Sequence, residues 1–381
     1  MHKKRVLFLG AFQEPGGEEE VITYLYRNLN SEQFEAYLCG PFRPQFFEKH
    51  QIGRDQILEL EMKSITDFKS MRKLANYIDT YQIDIVHSHG SRGGLFGRIA
   101  CLFSKRKVKS IWTLHLLIEE NNYTISKLRK KVYTKIEYIL SKYFTDYIIC
   151  VSNDLMNKYK VNFKSENIMT IHNGIDIEKY FLSKQDNEGH KETYTFGFIS
   201  RLSKQKGLPY LIRAWNEIVL KYKDDTNKNV HLVIAGTGEE EGLLKELISS
   251  HQLDKYVTLL GFRNDIPNIL SQIDVLVLPS LFEGFPMVVL ESLCSKTPVI
   301  ASRVNGIPEV VKHNLNGRLV EPRNIDQLVE SMSYYINDPK MILNHGLQGQ
   351  QLIKEKFTKE KMLLEHKALY TNLTSESEHA I

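Results

Sequence analysis

The sequence predicts an α/β protein made of two doubly wound parallel-sheet domains facing a central cleft. Short β-branched, apolar runs alternate with amphipathic helical ones from the first residues onward, the pattern of a parallel sheet covered by helices on both faces. That alternation is interrupted by one polar, aperiodic stretch, residues 183–192, and then restarts. The length of 381 residues is enough for two ordinary domains with their own cores.

In the first half the expected strands are Arg5 to Leu9, Phe34 to Cys39, Ile83 to His87, Val108 to Leu114, Tyr147 to Val151 and Ile168 to Ile171. Between them Glu18 to Leu29, Phe68 to Tyr81, Leu95 to Phe103 and Ser126 to Tyr143 have helical spacing. After the polar stretch the strands are Tyr194 to Ile199, Val230 to Ala235, Val257 to Leu260, Asp274 to Leu278 and Pro298 to Ala301. Pro209 to Lys221, Glu239 to Ser250 and Ile325 to Tyr335 are expected helices. The domains are therefore placed at 1–185 and 190–356. Two more helical stretches close the chain, Met341 to Phe357 and Lys359 to Thr371, and the last, about 359–373, is expected to pack back on the first domain. Beyond Leu373 the pattern reads as a disordered tail.

A composition that is 42% hydrophobic and 25% charged is that of a globular protein. Cys39, Cys101, Cys150 and Cys294 are scattered with no Cys-x-x-Cys, as expected of reduced core thiols in a cytoplasmic protein. The apolar run Val6 to Leu9 is too short for a secretory signal, and nothing approaches the roughly 18 uncharged residues of a membrane span. Residues 1–180 carry 27 Lys and Arg against 21 Asp and Glu, so the first half is the one suited to an acidic surface. No nucleic-acid partner is expected.

The most informative segment is Ser280 to Glu291. It follows the apolar run Asp274 to Leu278 and spans a strand-to-helix junction, with Pro286 suited to the first helical turn and Glu283 and Glu291 eight positions apart. Ligands of open α/β sheets bind at the carboxyl ends of strands, where helix N-termini favour anions. Carboxylates flanking such a place accept hydrogen bonds from hydroxyls but do not suit phosphate, so hydroxyls plus phosphate point to a nucleotide sugar. Arg201 and Lys206, just past a strand and before Gly207, are the matching cations for a diphosphate, with Lys204 a rival for the second place. Gly16-Gly17 fits either a flexible turn or a close backbone approach to a ligand. The dinucleotide fingerprint is broken by Phe12. Ala235-Gly-Thr-Gly238 reads as cleft wall.

His87 and His89 share one face of a strand, yet no third metal ligand is identifiable and no Asp-x-Asp occurs, so no metal is expected. His115 closes a strand and suits either the cleft or a structural place. Asn173-Gly174 is turn chemistry first. In Ile125 to Tyr143, Leu128, Val132, Ile136, Ile139 and Tyr143 form one helical stripe with Lys127, Arg129, Lys130, Lys131, Lys135 and Lys142 around it. Either the stripe packs on the core, or the Lys127–Lys135 region meets an anionic membrane and the protein is peripheral on its cytoplasmic face.

Taken together, the Gly16-Gly17 loop, His-Ser-His89-Gly with Ser91-Arg-Gly-Gly-Leu-Phe-Gly97-Arg, His115, Asn173-Gly-Ile-Asp176, Arg201 with Lys206-Gly207, and the Glu283 to Glu291 motif resemble the retaining glycosyltransferases of family four over nearly the whole chain. The resemblance implies the GT-B fold of two Rossmann-like domains and a nucleotide-sugar donor, a UDP-sugar above all, with no metal. The acceptor would be a glycan or lipid-linked molecule in cell-surface polysaccharide or glycoconjugate synthesis. It also implies roles. Glu291 would hold the ribose hydroxyls, Arg201 and Lys206 the diphosphate, and Glu283 a hydroxyl of the transferred sugar. His115 would lie beside that sugar and Gly16 and Gly17 beside the phosphates. Gly261, Phe262 and Arg263 would frame the base, and Phe285, Pro286 and Met287 would line the donor. Pro286 departs from a glycine seen in many members, and the acidic Glu18 to Glu20 run from more basic versions. A sugar-nucleotide epimerase of the same fold and a non-catalytic sugar-nucleotide or glycan-binding subunit are the alternatives.

Overall fold

In the computed structural model of the chain, residues 3–11, 16–117, 127–163, 166–181, 193–225 and 228–375 are described, side chains 45 and 127–130 excepted. The polar stretch 183–192 lies outside them, as do Phe12 and the tail beyond Ser375. The chain forms two compact units, residues 1–174 with 359–381, and residues 175–358.

The first unit runs β1 (Lys4–Leu9), α1 (Gly17–Leu29), β2 (Phe34–Gly40), α2 (Pro44–His50), β3 (Ile57–Glu59), α3 (Phe68–Thr80), β4 (Ile85–His89), α4 (Gly90–Phe103), β5 (Lys109–Leu114), α5 (Lys127–Tyr143), β6 (Tyr147–Cys150), α6 (Asn153–Phe163) and β7 (Ile168–Thr170). Its seven-stranded parallel sheet has the order β3-β2-β1-β4-β5-β6-β7. Successive side chains of a strand point to opposite faces, and β1 shows what that does. Val6 and Phe8 join one core with Val21, Ile22 and Leu25 of α1, whereas Leu7 and Leu9 join another with Met71 and Leu74 of α3 and Phe96 of α4. Each such fully buried side chain stabilises the fold by about 1.5–3 kcal/mol.

The second unit runs α7 (Ile177–Tyr180), β8 (Thr193–Ile199), a 3₁₀ turn (Lys204–Lys206), α8 (Leu208–Tyr222), β9 (Asn229–Ala235), α9 (Glu241–Ser250), β10 (Val257–Gly261), α10 (Ile266–Gln272), β11 (Val275–Leu278), α11 (Met287–Cys294), β12 (Val299–Ser302), α12 (Ile307–Val310), β13 (Gly317–Val320), α13 (Ile325–Asn337) and α14 (Lys340–Lys356). Its six strands, also parallel, take the order β10-β9-β8-β11-β12-β13. The last helix, α15 (Lys359–Ser375), belongs to the first unit, where Met362, Leu369, Tyr370 and Leu373 enter the core of Val6 and Phe8. It is helical through Ser375, past the point where the sequence pattern ends.

Beyond helices α2, α6, α7, α10 and α12, which the sequence expectation does not include, the structure differs from it in three further respects. Helix α4 begins at Gly90 and not at Leu95. Its glycines look unfit for a helix, but a Cβ at Gly94 would lie 2.3 Å from Trp112 Nε1 and one at Gly97 1.9 Å from Ser88 Oγ. Close packing on β4 and β5 outweighs the poor propensity of about 1 kcal/mol per glycine. Strands β3 and β13, at three and four residues, are too short to show a period. On α5 the rotation is also unexpected: Glu137, Leu140 and Ser141 are buried, while Val132, Ile139 and Tyr143 are exposed. The cause is Arg98, fully buried on α4, which pairs with both Glu137 oxygens, donates from Nε to Gly94 O at 2.7 Å, and stacks on Trp112 at 4.2 Å. A buried guanidinium left without its carboxylate would cost about 3–5 kcal/mol, so the ion pair and not the apolar stripe orients the helix.

All four cysteines are free, and burial pushes the thiols of Cys101 and Cys150 up to about 12, as inert core groups. In the first unit His87 donates and accepts through Tyr370 Oη at 2.6 Å and Thr113 Oγ1 at 2.7 Å, and its ring lies 5.5 Å from that of His366. Burial drives His87 and His89 well below the ordinary histidine value of 6.5 and His366 to about 4. These groups are neutral when folded and take up protons when unfolded. Their contribution to stability is therefore complete above about pH 6.5 and is lost progressively as the pH falls toward 4. We expect the unfolding free energy to fall across that interval in urea titrations, with His366→Phe flattening the slope.

Candidate functional site

In the second unit, Arg201 follows β8 and is exposed, and the chain then makes the 3₁₀ turn Lys204–Lys206. Gly207 ends that turn with φ +69°, where a Cβ would lie 2.1 Å from Pro279 O, so only glycine lets the turn close on the carboxyl end of β11. Two hydrogen bonds complete the closure, Leu281 N–H to Gln205 O at 2.7 Å and Gln205 Nε2 to Phe282 O at 2.8 Å.

The closure brings Lys206 Nζ to 2.6 Å from Glu283 Oε1, which also accepts from Ser280 Oγ at 2.6 Å. Glu283 is 5% exposed, and its backbone N–H donates to Asn305 Oδ1 at 2.9 Å. A charged pair so enclosed interacts more strongly than one in water. Helix α11 then starts at Met287, with Pro286 as its N-cap, one position before the first turn that the sequence suggested. Four residues into the helix, Glu291 Oε1 accepts from Tyr180 Oη at 2.8 Å, and Ser295 Oγ donates to Tyr180 O at 3.1 Å. The short helix α7 that carries Tyr180 is capped by Asp176, which accepts from Lys179 N–H.

The remaining second-unit residues are spread along the same ends of the strands. Gly261 ends β10 with φ +64°, Phe262 is 60% exposed, and Arg263 is held bidentately by Asp265, whose carboxyl that bond pulls well below the ordinary range. Phe285 is buried and packs at 5.5 Å on Phe357. Lys204 lies in the same turn as Lys206, but the contact to Glu283 is made by Lys206.

In the first unit, Gly16 is the exposed N-cap of α1 and Gly17 its first residue. The acidic run that follows divides. Glu19 and Glu20 each meet Lys49 Nζ at 2.8 Å, and Glu19 also meets His50 Nε2 at 2.8 Å. Glu19, Glu20 and His50 are close enough together to ligate a cation, but the Lys49 ammonium already bonds to both carboxylates. Glu18 has no hydrogen-bonding side-chain partner among the described residues, and burial raises its carboxyl to about 7. His115, just past β5 and half-buried, meets His89 of β4, Nε2 to Nδ1 at 3.2 Å, with the rings stacked. Burial lowers His115 to about 4.

Sequence reasoning thus named Lys206, Glu283 and Glu291, and the structure brings the first two into direct contact. It missed Tyr180, Ser280 and Asn305 as their partners. Ser280 lay inside the motif and offered a signal; Tyr180 meets the Glu291 carboxylate and Asn305 the Glu283 backbone N–H, across 111 and 22 residues of chain, and neither offered one.

Comparison with known proteins is consistent with this geometry. Residues 15–179 match the family model of Glycosyltransferase Family 4, and residues 181–351 that of glycosyl transferases group 1. The chain is 31% identical over 342 residues to the UDP-Gal:alpha-D-GlcNAc-diphosphoundecaprenol alpha-1,3-galactosyltransferase of Escherichia coli, covering 84% of this chain and 85% of that one. It is 28% identical over 335 residues to the capsular polysaccharide biosynthesis glycosyltransferase CapM of Staphylococcus aureus, with 84% and 85% covered. The structure of Anabaena HepE in complex with UDP-glucose superposes with a TM-score of 0.82 at 21% identity, over 97% of this chain and 99% of that one, which establishes a shared fold. With two parallel Rossmann-like sheets and both halves matched, the chain belongs to the group 1, family 4 glycosyltransferases and has their GT-B fold.

Proposed function

We propose that this glycosyltransferase moves a sugar, with retention of configuration, from a UDP-sugar to a glycan or lipid-linked acceptor in the synthesis of cell-surface polysaccharide or glycoconjugate. The carrying observation is the Lys206–Glu283 pair: a cation and a carboxylate, both largely enclosed, at the carboxyl end of a parallel strand. Without a ligand each neutralises the other. An arriving diphosphate competes for Lys206, and Glu283 then becomes available to accept from a hydroxyl of the transferred sugar. The names of the E. coli relative, which uses UDP-Gal and a diphosphoundecaprenol acceptor, and of the capsular relative support the donor and acceptor classes.

In this reading the second unit takes the nucleotide and the first takes the acceptor. Cleavage of the sugar–phosphate bond leaves its electron pair on the departing diphosphate. Arg201 and Lys206 stabilise that charge, with the first turn of α11 as a further donor. The acceptor hydroxyl attacks from the leaving-group side and passes its proton to a phosphate oxygen. Glu291 holds the ribose hydroxyls, with its rotamer fixed by Tyr180. Gly261, Phe262 and Arg263 frame the base, Phe285, Pro286 and Met287 line the donor, Gly16 and Gly17 meet the phosphates, and His115 meets the transferred sugar. The two cations do the work that a metal ion does in other transferases, so no metal is assigned.

A second observation favours a membrane-borne acceptor. No helix among the described residues is long and apolar enough to cross a membrane. On α5, however, Val132, Tyr138, Ile139 and Tyr143 are exposed beside Lys131, Lys135 and Lys142. Apolar side chains rimmed by cations suit the interface of an anionic bilayer, each cation contributing about 1 kcal/mol near the surface.

Arg201→Ala and Lys206→Ala should each lower turnover on the order of 100-fold with the circular-dichroism spectrum unchanged. Near-normal turnover in both variants would reject the diphosphate assignment, and donor consumption that yields an epimer without acceptor would favour the epimerase reading. Transfer should persist in excess EDTA; a loss that added metal restores would reject metal independence. In liposome sedimentation at low salt the protein should pellet with anionic and not with neutral vesicles. Replacing Lys131, Lys135 and Lys142 with Glu should leave it in the supernatant, and equal recovery of the native protein with both vesicle types would reject the membrane face.

A further inference from the structure

Three imidazoles line the carboxyl ends of β4 and β5: His87, His89 and His115. His87 is saturated by Tyr370 and Thr113, and its ring lies 4.3 Å from that of His89, which keeps the second ring in place. His89 is fully buried. Its Nδ1 is 3.2 Å from His115 Nε2, and its Nε2 has no partner among the described residues. We infer that His89 is a positioning residue that holds His115 in the tautomer protonated on Nδ1, so that His115 meets its ligand as a hydrogen-bond donor. This rests on the reading above, in which His115 faces the transferred sugar.

The tautomers follow from what each nitrogen touches. Both rings are neutral because burial disfavours the imidazolium. Between two neutral imidazoles one nitrogen donates and the other accepts. If His89 carried its proton on Nε2, that buried N–H would be orphaned, and orphaned buried donors are the rarer defect. The proton therefore belongs on Nδ1, which donates to His115 Nε2. With Nε2 of His115 accepting, its own proton sits on Nδ1, an atom with no hydrogen-bond partner among the described residues on a ring that is only half-buried. An N–H so presented suits an oxygen, either a sugar hydroxyl or a phosphate. It cannot take a proton from the acceptor, which leaves that task to the departing diphosphate.

The tautomer can be read without turnover. In full-length protein labelled with ¹⁵N-histidine, long-range correlation spectra at pH 7.5, with His115 assigned by its loss in His115→Gln, should show Nδ1 protonated and Nε2 bare. A protonated Nε2 in the native protein would overturn the inference. His89→Asn places an amide N–H where Nδ1–H was and should recover most of kcat. His89→Leu, which has no donor, should lower kcat about 10-fold or more with the donor KM and the thermal shift given by UDP unchanged. Native kcat in His89→Leu would also overturn it. If the Nδ1 tautomer is found and no sugar transfer is detected, the proposed reaction fails while the assignment of the proton stands.

Discussion

Every strand pairing in both sheets is parallel, and the rest of the molecule depends on that constraint. Parallel neighbours must be joined by crossovers, so all strands of a sheet end along the same edge. That edge collects the loops, the helix N-termini and their unpaired N–H groups. His89 and His115 stand at the ends of β4 and β5, Lys206 follows β8, and Glu283 follows β11. Residues as far apart in sequence as 206 and 283 meet because β8 and β11 are neighbours in the sheet. Chemistry here is a property of topology before it is a property of any motif.

Two enclosed ion pairs show how surroundings separate structure from function. Arg98 and Glu137 sit in a completed network with Ser141, Gly94 O and the Trp112 face, with the guanidinium fully buried. Nothing in it is left to bind, and its effect is to set the rotation of α5. Lys206 and Glu283 share only one carboxylate oxygen, with Ser280, at a strand end that faces loops. The first pair is retained because breaking it is costly. In the proposed reaction the second is exchanged, since a donor carrying both phosphate and hydroxyls offers each partner a replacement.

The alternation of strand and helix was legible throughout because buried parallel strands are near-continuous apolar runs. The segment 280–291 and the cations after β8 were legible because they break that pattern where a strand must end. What was not legible has physical causes. The glycines of α4 oppose helix propensity and are overruled by Trp112 and Ser88, contacts that lie across the sheet. The apolar stripe of α5 suggested the wrong buried face because a single buried charge on another helix outweighed it. The short strands β3 and β13 and the partners Tyr180 and Asn305 are visible only once distant segments are assembled.

The chain enters its second unit at Ile175 and leaves it at Thr358, and these two residues are bridged, with Ile175 N–H donating to Phe357 O at 2.9 Å. The second unit is therefore an insertion whose two ends are tied together, and the first unit is discontinuous. During synthesis the ribosome delivers all of the second unit before it delivers Met362, His366 and Tyr370, which complete the core around Phe8 and His87. The amino-terminal sheet must wait, with one face unfinished, while the inserted unit is made. The sheet nearer the amino terminus is thus the one whose core is closed by the later segment of the chain.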